Sequence, residues 1–128
     1  MNLVSENLMT RAFPCTKEGE IAAQAFLEEV CDEPRPSIVF DEIVSNIVRC
    51  SGASAFIVDF GQVPEGWVMV FSDDGKAFDP MRDSATPDIT AAAEDRRIGG
   101  LGIFMVKKMS KSVTYERQDG KNVLTVVM

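Results

Sequence analysis

Two pairs of β-type runs, each joined by a turn-forming stretch, constrain the fold of this chain more than any other feature. In the first pair, SAFIVDF (54–60) puts Phe56, Val58 and Phe60 on one face, and WVMVFSD (67–73) follows the loop GQVPEG, with Gly61, Pro64 and Gly66. In the second, runs over about 112–117 and 122–127 flank Asp119-Gly120. Asp-Gly between two such runs is a strong tight-turn signal. Antiparallel hairpins are expected at both places, and one further strand over 6–13.

The rest of the chain carries helical spacing. Thr16 suits an N-cap for a helix over about 17–31, with Ile21, Ala22, Ala25, Phe26 and Val30 at helical intervals. Pro34 and Pro36 break that helix and pre-set the next, about 36–50, with an apolar stripe of Ile38, Val39, Ile43 and Ile47. A third helix is expected over 101–110. Between 73 and 98 only a short Ala-rich stretch interrupts a long aperiodic segment, and loops of that length in small domains usually serve function. The order is β, α, α, β, β, long loop, α, β, β. It predicts an α/β (α+β) two-layer sandwich with a mixed, mostly antiparallel sheet and about three helices on one face. No repeat, low-complexity tract or linker divides the 128 residues, so 1–128 reads as one domain.

Charge and composition remove several function classes. With 13 basic and 20 acidic residues the net charge is −7, which disfavours generic binding to nucleic acid or anionic membrane. Histidine is absent, which excludes histidine triads, histidine metal sites and phosphohistidine chemistry carried by this chain. Cys15, Cys31 and Cys50 are widely spaced and form no CxxC pair, so reduced core thiols are expected rather than a zinc or redox motif. There is no charged, then apolar, N-terminal signal pattern and no apolar run of about 20 residues, so a soluble cytoplasmic protein is expected.

Three segments carry chemistry. Glu42 and Asn46, four apart, share one face of the second helix. They suit a solvent boundary, or else a hard cation held by the neutral amide oxygen beside a carboxylate that accepts a proton. SDDGKAFDP (72–80) follows an apolar strand. It suits an acidic turn, or else a purine pocket in which Asp73 accepts a bond from an exocyclic amine and Gly75 lets backbone approach the ring. IGGLGI (98–103) opens the third helix, as a flexible link or as a phosphate cradle of free N–H groups. It is neither a P-loop, since Gly61…Gly66 is followed by Trp67, nor a Rossmann fingerprint, since Met105 stands where a third Gly would sit.

Together, E-x-x-x-N at 42–46, D-x-G-x-A-F at 73–78 and G-G-L-G-I at 99–103 resemble the N, G1 and G2 boxes of the Bergerat-fold (GHKL) ATPases. That group includes DNA gyrase, heat-shock chaperone ATPases, sensor histidine kinases and mismatch-repair proteins. The small size and the run GGLGIFMVKKMSKSVTYERQDGKNVL are most similar to the bacterial anti-sigma factor serine/threonine kinases. Many relatives carry His or Tyr where this chain has Cys50, and Gly where it has Ala77.

The resemblance implies a role for each box. Glu42 would be the general base and Asn46 would hold Mg²⁺ at the ATP phosphates. Asp73 would bind the adenine amine, with Gly75 and Ala77 lining the base. Gly100, Leu101 and Gly102 would contact phosphates, and 79–98 would form the ATP lid, from which Arg96 or Arg97 reaches the phosphates. Arg49 and Lys76 are further phosphate helpers or solvated surface residues. The implied activity is Mg-ATP-dependent phosphorylation of a serine on an anti-anti-sigma (STAS-type) partner by a protein that otherwise sequesters a sigma factor, with a homodimer common among such kinases. The alternative is a non-catalytic module of the same fold whose partner affinity responds to ATP. Direct nucleic-acid or membrane binding is not expected.

Overall fold

The computed structural model describes residues 8–83 and 100–128. Five strands form one sheet: β1 Met9–Pro14, β2 Ala55–Val63, β3 Gly66–Asp73, β4 Ser112–Gln118 and β5 Lys121–Val127, in the spatial order β1-β2-β3-β5-β4. Every described pairing is antiparallel, so the expected mostly antiparallel sheet contains no parallel pair among these strands. Among the described residues four helices accompany it: α1 Lys17–Val30, α2 Pro34–Cys50, the single turn α3 Pro80–Asp83, and α4 Gly100–Met109.

Local chemistry explains most boundaries. The Thr16 side chain accepts a bond from Gly19 N at 3.0 Å and starts α1. Pro34 opens α2 two residues earlier than the sequence suggested, because proline lacks the N–H that a helix start leaves unpaired. Asp119 (φ 53°) and Gly120 (φ 75°) both take left-handed backbone and close the β4–β5 hairpin in two residues. Strand β1 starts at Met9 rather than residue 6 and extends to Pro14, as its register with β2 dictates, from Met9 opposite Phe60 to Pro14 opposite Ala55. Asp79 Oδ1 accepts Met81 N at 3.0 Å and turns the first residues of the expected lid, 79–98, into α3. The remainder of that lid, 84–98, lies outside the described residues.

Helix α2 packs against both α1 and α4. Its Val39, Phe40, Ile43, Val44 and Ile47 meet Phe56, Val58 and Phe60 of β2 and Phe71 of β3 in one core. Phe40 and Phe71 lie 5.5 Å apart, and Phe13 joins Phe56 to Phe26 of α1. Truncating the wholly buried Phe40 to Ala would cost about 3–5 kcal/mol through the cavity it leaves. Two apolar stripes need correction. On α1 the buried residues are Gly19, Ala23, Phe26 and Leu27, while Ile21 is 55% exposed and Ala22 and Ala25 face outward. On α2, Ile38 is 43% exposed. Cys31 is buried, Cys15 and Cys50 are half-buried, and all three are free thiols. No helix among the described residues is long and apolar enough to cross a membrane.

Candidate nucleotide site

The first and third motifs meet. Asn46 Nδ2 donates to Glu42 Oε2 at 2.8 Å and to the Glu42 carbonyl at 2.8 Å. Asn46 is buried, and its amide turns the nitrogen to Glu42, which directs the oxygen away from that carboxylate. Gly102, in the first turn of α4, stands directly over the pair, and a Cβ there would overlap the Glu42 carboxylate. The glycine is therefore required by close approach, and it brings the α4 N-terminus to the acid–amide pair. Gly100 and Leu101 supply the preceding backbone of that turn.

The second motif is tied to the C-terminal end of α2. Lys76 N donates to the Ser51 carbonyl at 3.0 Å, and a Cβ on buried Gly75 would overlap that same carbonyl. Ser51 closes α2 five residues beyond Asn46, or about 7.5 Å along a helix axis. Strand β3 delivers Asp73, which is 7% exposed. Its Oδ1 accepts Gly75 N at 2.9 Å and Asn122 Nδ2 at 2.9 Å, while Oδ2 takes no hydrogen bond from the described residues. A buried carboxylate with one oxygen fixed and the other available fits an acceptor for a ligand amine.

Four residues of this site carried no motif. Asn122 is 4% exposed and makes four bonds: its nitrogen donates to Asp73 and to the Lys76 carbonyl at 2.7 Å, and its oxygen accepts Phe78 N at 3.1 Å and Tyr115 OH at 2.5 Å. Arg117 donates to the Gly75 carbonyl at 2.8 Å. Ser51 is buried and holds Ala53 N through its hydroxyl. Asn122 alone left a trace in the sequence, as a polar residue on the inward phase of β5 with Leu124 and Val126. Cys15 also lies beside this floor. Burial pushes its thiol up, the Ser51 hydrogen bond opposes that, and the Asp73 and Asp74 charges add to the rise.

The other named residues are less engaged. Arg49 is exposed and bonds the Ser45 carbonyl of its own helix at 3.3 Å. The Lys76 and Ala77 side chains are exposed. Arg96 and Arg97 lie outside the described residues. A cleft of about 410 Å³ near the start of α2 and one of about 150 Å³ beside Asp73, with Ile57 and Ser72 in its lining, both lie away from Glu42 and Asn46.

The donors fit the groups that the motifs imply. A neutral amide oxygen and a carboxylate are hard ligands of the kind Mg²⁺ takes, and Mg²⁺ shared with phosphates needs few protein ligands. Among the described residues no three Cys, Asp or Glu side chains cluster as a protein-only metal site.

Serine/threonine-protein kinase BtrW of Bordetella bronchiseptica is 27% identical over 90 residues, 67% of this chain. The match spans 63% of that protein's length. The family described as histidine kinase-like ATPase domain matches residues 10–128, nearly the whole chain, and this chain belongs to it.

Proposed function

We propose that this ATPase-family domain is a Mg-ATP-dependent protein serine/threonine kinase that acts in the cytoplasm as an anti-sigma factor. Its substrate in this reading is a serine of an anti-anti-sigma, STAS-type partner. The observation that carries the reading is the contact of Gly102 with the Glu42 carboxylate, itself bonded to Asn46. It joins a proton acceptor, an amide ligand and a helix N-terminus in one place, as phosphoryl transfer requires.

Each residue then has one task. Asp73 accepts the adenine amine, and Gly75 and Ala77 line the base. Gly100, Leu101 and Gly102 offer backbone N–H groups to the phosphates. Asn46 holds Mg²⁺, which neutralises phosphate charge when bound. Glu42 accepts the proton of the attacking serine hydroxyl. Arg49, Lys76, Arg96 and Arg97 are the cations available to the phosphates. The acidic chain, at net charge −7, suits a basic surface on a sigma factor. A homodimer fits the same reading, as does the kinase name of the relative from Bordetella bronchiseptica.

The test has two stages. Thermal melts with ATP, ADP and GTP, each with and without Mg²⁺, are expected to show selective stabilisation by adenine nucleotides, about 2.7 kcal/mol at a hundredfold excess over Kd. No stabilisation by any of them would end the proposal. Labelled ATP with a candidate partner then separates catalysis from binding. Label on the partner supports the kinase, and stabilisation without transfer assigns the ATP-responsive module instead.

A further inference from the structure

We infer that the cleft between the start of α2 and the end of α4 is a docking site for an acidic peptide segment of a partner protein, separate from the nucleotide site. It lies eleven residues up α2 from Asn46, about 16 Å along the axis. Its volume, about 410 Å³, falls in the usual range of binding clefts, about 300–1,000 Å³. The inference does not depend on the nucleotide reading.

The charge is locally inverted. The chain as a whole carries seven more acidic than basic residues, yet three cationic side chains, Arg35, Lys108 and Lys111, line this cleft against one acidic side chain, Glu33. None of the three forms an ion pair with a described residue. Arg35 donates to the Met109 carbonyl at 3.4 Å and Lys111 to the Glu65 carbonyl, and each keeps further N–H donors. Glu33 is already engaged, accepting the Trp67 indole N–H at 2.9 Å. Complementing the α4 C-terminus accounts for Lys108 in the last turn and for the Arg35 bond to the Met109 carbonyl, but not for Lys111, which reaches the Glu65 carbonyl instead.

Two further observations point to an occupant. Ser110, whose hydroxyl oxygen is the one buried side-chain polar atom without a partner among the described residues, is among the residues that line this cleft. Such an atom costs stability until something bonds it. Trp67 forms one wall, stacked on Phe60 with centroids 5.1 Å apart. Trp and Arg together are the residues that anchor protein partners most often. The cations come from separate elements, with Trp67, Pro36 and Met109 as apolar lining, so a lone phosphate would leave that lining uncovered. A peptide bearing several carboxylates around an apolar side chain covers both.

Trp67 is the chain's single tryptophan, so its emission reports occupancy of the cleft. The full chain is titrated, without nucleotide, with a capped peptide of alternating glutamate and leucine. A saturable emission change is expected, with affinity falling as salt rises. Exposed Lys108 and Lys111 are reversed together, K108E with K111E, and this is expected to weaken binding about tenfold. Because Lys108 complements the α4 dipole and Lys111 holds the Glu65 carbonyl, a small fall in melting temperature accompanies it, and the titration is run well below the variant's melt. Reversal of the remote Lys17, K17E, and Asp73→Asn in the nucleotide site should leave the titration unchanged. The inference is overturned by no emission change at low salt, by native affinity in the double reversal, or by inorganic phosphate alone saturating the signal and displacing the peptide.

Discussion

Asn122 on β5 donates its side-chain amide to Asp73 on β3 at 2.9 Å, directly across the strand register. The same amide holds the Lys76 carbonyl and Phe78 N, so one residue fixes the strand-end acid and the loop that follows it. Asn122→Ala would strand several buried groups and is expected to cost about 3 kcal/mol in a thermal melt. Because the loop is released, ATP affinity should fall further than stability alone dictates. Calorimetry on the folded variant at low temperature checks this; unchanged ATP affinity would reduce Asn122 to a structural residue.

Features set by neighbours in the chain were legible, and features set by distant partners were not. The Thr16 cap and the Asp119-Gly120 turn follow from local hydrogen bonding and local φ, and both stand where the residues placed them. The phase of α1 was not readable, because EIAAQAFLEEV offers apolar residues on more than one face, and packing chose Ala23 and Leu27 over Ile21. In the site, Glu42, Asn46, Asp73 and the glycines were visible as motifs. Ser51, Tyr115 and Arg117 were not, since Ser51 and Arg117 reach the 73–78 loop, and Tyr115 reaches Asn122, only through chain closure or sheet register.

Gly102→Ala sets a methyl group against the Glu42 carboxylate, the far end of a flexible side chain. The carboxylate can swing aside, so the fold should survive with a loss of about 1 kcal/mol or less. Displaced from Asn46, Glu42 would no longer stand at the helix start, and phosphoryl transfer should fall at least about a hundredfold. Gly75→Ala is the contrast. Its methyl meets the Ser51 backbone carbonyl, which has nowhere to go, so stability should drop as well. Paired melting and turnover assays separate the two; equal melting losses would contradict the steric distinction.

Asp73→Asn keeps the shape and the Oδ1 acceptor for Gly75 N and Asn122, but turns the other oxygen into a donor. A donor facing the adenine amine loses a charge-assisted bond and gains a repulsive contact. ATP affinity should drop about a hundredfold, or about 2.7 kcal/mol, with the fold intact. Guanine presents a carbonyl at the corresponding ring position, so discrimination against GTP should narrow. Calorimetric titration of both nucleotides measures it, and an unchanged ratio would remove Asp73 from base recognition.

Asp41, on α2, gives the pH dependence. Burial first, then the charges of Glu28 and Glu20 on α1, raise its carboxyl above the ordinary 3.8. A raised carboxyl means that the folded chain keeps a proton which the unfolded chain has released. Stability therefore falls as pH climbs through 3.8 towards the raised value, and the penalty is complete at neutral pH. Asp41→Asn removes the charge with little change of shape, so it should raise the melting temperature near pH 7. Below about pH 3, where both states of the native residue are protonated, that advantage should disappear. A gain of the same size at both pH values would mean better packing of the amide rather than relief of charge, and the electrostatic account of the α1–α2 contact would fail.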